Sequence, residues 1–285
     1  MGREGDSFWA PVPKVGGWRL FLKTVVARAY PRIIGQQRER SWIFFDVFLS
    51  ILAVSAYVFV YRAIGAPEDY VGFVVIGGAM TPFWLNVLWS MSSQLYWEKE
   101  SGNLALYIMA PNSMMAILLG MALGGMLGTS LRAVAILLAG SLLFHVQYTG
   151  GNVFALGVVF LLTLTALYGL GMMSASLFLL WGREAWHLAN LAQEPIYLLS
   201  GFYFPVKNLG FWVAVVASMI PLTLGLDAMR QLLFPAGAAT GFLPVPVEVA
   251  GLVVLGVLFL VAAWGLLRYM ERIAIREGRL LEMRR

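Results

Sequence analysis

The sequence contains no cysteine, two histidines and few charges: Asp, Glu, Lys and Arg make up 12% of its 285 residues, against about 25% in an ordinary soluble domain. Without cysteine there is neither a disulfide framework nor a thiolate metal site. His145 and His187 are far apart and have no carboxylates at ligand spacing, so no metal site is expected. No GxxxxGK followed by Ser or Thr occurs, so the chain itself should bind no nucleotide through a phosphate-cradling loop. The first thirty residues lack an apolar core followed by a small-residue cleavage site, and no cleavable signal peptide is expected. Neighbouring apolar segments carry no convergent His, Asp or Glu, which argues against a membrane-embedded enzyme acting on lipids or peptides. The ten-residue alternation of a membrane barrel is also missing.

Apolar residues fill that space. They make up 60% of the chain, mean hydropathy is +0.78, and they fall in runs of about 18 or more, long enough to cross a hydrocarbon core of about 30 Å. The expected fold is an all-α membrane protein with six transmembrane helices. Residues 1–41 form a cytoplasmic lead-in and an interfacial amphipathic helix, residues 42–272 the transmembrane domain, and residues 273–285 a cytoplasmic tail. The spans are expected at about 42–61, 70–96, 113–144, 153–181, 185–202 and 247–267, with a re-entrant helical region at about 203–235. From Trp18, the residues Phe21, Leu22, Val25, Val26 and Ala29 share a helical face, with Arg19, Lys23 and Arg28 at its edges. That spacing suits a helix lying in the membrane interface, in preference to the alternative of a helix packed on protein. Phe211 to Leu226 is short for a span and is broken by Pro221, hence the re-entrant reading. Gly120, Gly124 and Gly128 repeat a small-residue spacing that lets two helix backbones approach closely.

The net charge of +5 and pI of about 9.6 reflect cations flanking the spans, and no nucleic-acid partner is expected. Eight of the twenty Lys and Arg residues precede the first span, six lie in the tail, and Lys99 and Arg183 occupy the second and fourth connections. Six spans therefore put sixteen of the twenty on one side, which the positive-inside rule makes the cytoplasm, with both termini there. A seventh span would send the basic tail outside.

The interruption from Trp97 to Pro111 then lies in the cytoplasm. Glu98, Lys99 and Glu100 are expected to begin a short helix over about 97–111, followed by Leu104, Leu106, Tyr107, Ile108 and Met109 as apolar contacts and by a restart at Pro111, Asn112 and Ser113. A plain loop would not expose so many apolar side chains, which normally meet a partner or the bilayer.

The run Glu98-Lys99-Glu100-Ser101-Gly102-Asn103-Leu104, followed by Ala110-Pro111, resembles a signature of type-2 ABC exporter permeases. A second run resembles another hallmark of that family: Leu199 to Val206, then Pro221-Leu222-Thr223 and Asp227-Ala228-Met229-Arg230. The resemblance implies a permease subunit that pairs with a second permease copy, identical or related, and docks two cytoplasmic ATP-binding subunits in the cell (inner) membrane. ATP and Mg would be bound by those partners, with no cofactor in this chain. It further implies a coupling helix in which Glu98, Glu100, Gly102 and Leu104 face the ATPase. The transported compound would be hydrophobic and drug-like or lipid-like, or alternatively a lipid-linked polysaccharide.

Asp46, Arg132 and Glu194 lie within apolar segments, where charge is costly and faces a protein interior or a wet cavity. Asp46, a turn from Trp42 and near Arg38 and Arg40, suits a structural pair or a residue near the interface. Arg132 and Glu194 read equally as pathway contacts or structural groups, and Glu194 alone would be the coupling site of an ion-driven transporter. Phe202, Tyr203 and Phe204, before Pro205 at the re-entrant turn, are candidates to line a gate. Asp227 and Arg230, three residues apart, read as a helix-surface pair. The fourteen Met and ten Trp residues are read as packing and interfacial anchoring.

Overall fold

Long apolar runs that lack interior breakers become long helices, because in hydrocarbon every backbone N–H and C=O must be satisfied within the segment. The computed structural model describes residues 17–277 apart from Glu39, Pro111, Asn112, Gly150 and Gly182. The expected lead-in before Gly17, the restart at Pro111 and Asn112, and the last eight residues of the tail lie outside that description. Among the described residues the regular structure is helical throughout. Helix α1 is Trp18–Arg38 and α2 is Arg40–Ala63. The second long stretch comprises α3 (Asp69–Leu85), a π-helical segment (Asn86–Met91) and α4 (Gln94–Glu100). After α5 (Asn103–Met109) come α6 (Met114–Phe144), α7 (Val153–Trp181) and α8 (Arg183–Leu199). Helices α9 (Phe211–Ala217), α10 (Pro221–Leu233) and α11 (Pro235–Thr240) precede α12 (Val245–Glu277).

Among the described residues, five stretches are long and apolar enough to cross a membrane, and the bent pair α9–α10 would make a sixth if counted as one span. That pair turns through 111° where Ser218 to Ile220 leave the helix and Pro221 restarts it at its first position, which needs no N–H donor. Helix α8 is shorter than a typical span, with 17 residues rising about 25 Å. It runs antiparallel to the second stretch: Trp186 stacks on Trp89 and meets Trp97 edge to face, while the turn after α8 brings Phe202 against Gly77. Of the polar turn expected at 182–184, Gly182 lies outside the description and Arg183 and Glu184 belong to α8.

The second stretch is the central post. Its most apolar window is 89% buried, against 11% for α2. Three glycines of α3 permit close neighbours: Gly72 meets the Phe234 ring, Gly77 the Phe202 carbonyl and Gly78 the Val54 side chain. Helix α7 packs between this post and α12, and α6 lies across the other side between α1 and α3.

The glycine comb of α6 finds its partner in α1. Val25, Ala29 and Gln36 meet Gly120, Gly124 and Gly128 in order, so the two helices run in the same direction over about three turns. A side chain at Gly124 would sit 2.7 Å from the Ala29 carbonyl. Along α1 the packed face carries Thr24, Val25, Arg28, Ala29 and Arg32, while Trp18, Val26 and Tyr30 are left exposed. The helix therefore packs on protein along one side and keeps an apolar strip free on another.

Candidate functional site

Two breaks in the helices gather most of the residues singled out in the sequence, at opposite ends of the second stretch. The first is the elbow between α4 and α5. Gly102 adopts φ 77°, a left-handed conformation that costs glycine nothing, and this folds α5 back on α4. The acidic residues close α4 instead of opening a helix, which corrects the expectation that they would start one. Glu98 is the staple: its carboxylate accepts from Gln94 Nε2 (2.9 Å), Asn103 Nδ2 (3.0 Å) and Tyr107 OH (2.9 Å). An anion is tolerated at a helix end here because three donors replace its water.

The network continues into α1. Arg32 donates to Gln94 and to Ser90, and the Arg28 guanidinium lies 4.2 Å from the Tyr107 ring centroid. Burial, reinforced by the hydrogen bond to Glu98 and its charge, pushes the Tyr107 hydroxyl up to about 12 against an opposing effect of Arg28. Helix α1, the end of the second stretch and the elbow are thus joined through side-chain contacts. Next to them is the π-helical segment, where Ser92 N bonds the Val87 carbonyl, five residues back, a local widening that recurs at functional sites.

Leu104 does not face outward. It is buried with Leu95 and Met114 in the interior, because the elbow turns its apolar side back onto the bundle. Trp97, Leu106 and Met109 are the exposed apolar residues, each more than half exposed, and Glu100 lies beside them on the surface. Of the four residues the resemblance pointed to, Glu98, Gly102 and Leu104 shape the elbow from within, and Glu100 reaches the surface.

The second break is the turn from Ser200 to Pro205, entered through Gly201 at φ 65°. Its three consecutive carbonyls are captured from outside the turn. Arg230 donates to Phe202 O (2.7 Å), Phe204 O (3.1 Å) and Phe73 O (3.1 Å), and Tyr61 OH donates to Tyr203 O (3.0 Å). Arg230 is only 2% exposed, so it is no surface pair with Asp227. That carboxylate turns the other way, accepting from Phe242 N (2.7 Å) and Gln231 Nε2 (3.2 Å). The reason is steric: Gly77 lets the Phe202 carbonyl approach α3, and a charged fork is needed to satisfy the converging acceptors.

Of the expected gate aromatics, Phe202 is fully buried against Tyr197 and lines no surface. Tyr203 stacks on Tyr57 of α2 at 4.0 Å and, like Phe204, is half-buried; Pro205 is buried. Arg132 is paired with Asp46 between α6 and α2, which makes the two a bridge between helices, in keeping with the structural reading of Asp46. Glu194 is exposed on α8 and accepts from Gln193 at 3.3 Å.

A cavity of about 260 Å³ opens between the second stretch, α7 and α8, lined by Trp84, Val87, Leu88, Leu170, Phe178 and Ile196 among others. Its walls are almost wholly apolar, with Ser92 and Ser174 as polar exceptions. The sequence reading missed this cavity, Arg230 as an anchor, and the packed role of Arg28 and Arg32. A signal for the last existed: Thr24, Arg28, Arg32 and Gln36 repeat every four residues, the same period as Gly120, Gly124 and Gly128.

A family model described as ABC-2 type transporter matches residues 22–234. A comparison with curated proteins finds no matching sequence.

Proposed function

Because the chain belongs to the ABC-2 type transporter family, and is thereby the membrane permease of an ABC transporter, we propose that it serves as the spanning subunit of an ATP-driven exporter. The elbow carries this reading. Trp97, Glu100, Leu106 and Met109 project from a stapled turn, on the side that the charge asymmetry of the sequence reads as the cytoplasm. Such a patch fits a groove on a cytoplasmic ATP-binding subunit. Movement of that subunit reaches α1 through Arg28 and Arg32, and the central post through the π-helical segment.

The exported compound is hydrophobic, drug-like or lipid-like. The apolar cavity beside α8 supports this class, since apolar walls with a few polar groups are the usual make-up of a small-molecule site. A second copy of a permease subunit covers the exposed aromatic face of α2, and the Tyr57–Tyr203 stack at that edge is the gate candidate. ATP and Mg belong to the partner subunit. Glu194 and a lipid-linked polysaccharide as cargo gain no separate support from the geometry.

The test is co-purification in mild detergent with the candidate ATP-binding subunit, comparing the native chain with a Leu106→Asp, Met109→Asp variant. Loss of the partner with an unchanged elution profile of the permease is expected. Undiminished association, or none with the native chain, overturns the reading.

A further inference from the structure

A second cavity, of about 300 Å³, lies between α1, α5 and the start of α6. Its floor is apolar, from Leu20, Ala27, Ala110 and Ile117, and Lys23 and Arg28 stand on its α1 side. Lys23 is exposed, and among the described residues neither cation forms an ion pair with a carboxylate. The nearby acid, Glu98, has its oxygens occupied by Gln94, Asn103 and Tyr107. Lys23 and Arg28 line the groove and, among the described residues, no carboxylate does, so it keeps an excess of positive charge.

Adjoining the groove, Trp18, Leu22 and Val26 form the exposed apolar strip of α1. Cations next to an apolar strip carrying a tryptophan suit the boundary between headgroups and acyl chains. A protein partner would bury that strip against matching apolar surface, whereas the two cations beside it match an anionic headgroup.

We propose that this groove binds one anionic phospholipid of the leaflet that contacts α1, its phosphate held by Lys23 and Arg28 and the upper part of one acyl chain laid over Leu20, Ala27 and Ile117. The inference rests on the expected position of α1 at the membrane interface. It does not depend on ATPase docking. Arg28 also lies over Tyr107, so an occupied groove sits directly against the elbow network.

The full chain, purified in nonionic detergent, is titrated with dioleoylphosphatidylglycerol and, separately, with dioleoylphosphatidylcholine, and bound lipid is counted by native mass spectrometry. One phosphatidylglycerol is expected to stay on the native chain, preferred over phosphatidylcholine. Two cations near an anionic surface suggest that K23Q/R28Q retains it about thirtyfold more weakly. K23R/R28K keeps the charge and should restore retention, which separates a lost headgroup contact from a disturbed fold. R268Q/R272Q, at the other end of the chain, should behave as native. Equal retention of the two lipids, or no effect of K23Q/R28Q, overturns the proposal. Displacement of the lipid by millimolar inorganic phosphate would make this a free-phosphate site and also overturns it. No ATP-binding subunit is present, so a failed docking experiment leaves this result intact.

Discussion

The elbow at Gly102 and the turn at Gly201 solve one problem with opposite charges. Where α4 gives way to α5, an anion collects donors: Glu98 accepts from three side chains. Where α8 gives way to the turn at Phe202, a cation collects acceptors: Arg230 donates to three carbonyls. The elbow partners are side chains at a partly exposed surface, which can let go and re-form. The turn partners are backbone carbonyls around a buried guanidinium, which have no water to fall back on. Under the proposed function, one break moves against a partner and the other holds its place.

The largest effect should come from removing the cation. Arg230→Gln leaves buried carbonyls without donors and should destabilise the protein by about 3 kcal/mol or more, read as a lower unfolding midpoint in detergent. Arg230→Lys should recover only part, because an ammonium lacks the planar fork. A midpoint unchanged in both variants would erase the contrast. Glu98→Ala should cost less, about 1–2 kcal/mol, since water can reach the freed donors. Its main signature is expected in function, as loss of substrate-stimulated ATP hydrolysis in the assembled transporter while the ATP-binding subunit still co-purifies. Glu100→Gln should leave the fold unaltered and weaken docking alone.

A smaller effect is expected at the bridge between α2 and α6. A double-mutant cycle of Asp46→Asn and Arg132→Gln should return a coupling of about 1 kcal/mol, read from unfolding midpoints, because the Asp46 side chain is one-third exposed. The smallest signal is the titration of Tyr107. Its hydroxyl is raised to about 12 from about 10 in the unfolded chain, so the stability it lends is fully present below pH 10. That stability disappears as pH rises through 12. Ultraviolet absorbance should show one tyrosine ionising later in the native chain than in Glu98→Ala, with no difference if the Glu98 contact is unimportant.

Much of the fold was legible because apolar length and charge asymmetry follow from bilayer thickness and hydration, which act on each segment alone. The broken pair at Pro221 and the span starts at Ile43, Met114 and Val153 are of this kind. The elbow was half legible: Gly102 and Glu98 stand in a recognisable local pattern, but the outward set of Trp97, Leu106 and Met109 depends on how α5 folds back. Leu104 looked exposed in the sequence and is buried for that reason. Arg230 was misread because spacing within α10 says nothing about Phe73 or Phe202, more than twenty residues away. Arg132 and Asp46, 86 positions apart, are likewise paired only by the packing of α2 on α6. Local rules place elements, and the polar contacts that join them belong to tertiary structure.

The central claim is that the elbow touches an ATP-binding subunit through Leu106 and Met109 while Leu104 faces inward. A chain with no cysteine permits a direct test with single cysteines at Leu106 and at Leu104, reacted with a short thiol cross-linker in the assembled transporter. Cross-linking to the ATP-binding subunit from Leu106→Cys and none from Leu104→Cys is the predicted result. Cross-linking from Leu104→Cys alone, or from neither position in an intact complex, would contradict the account.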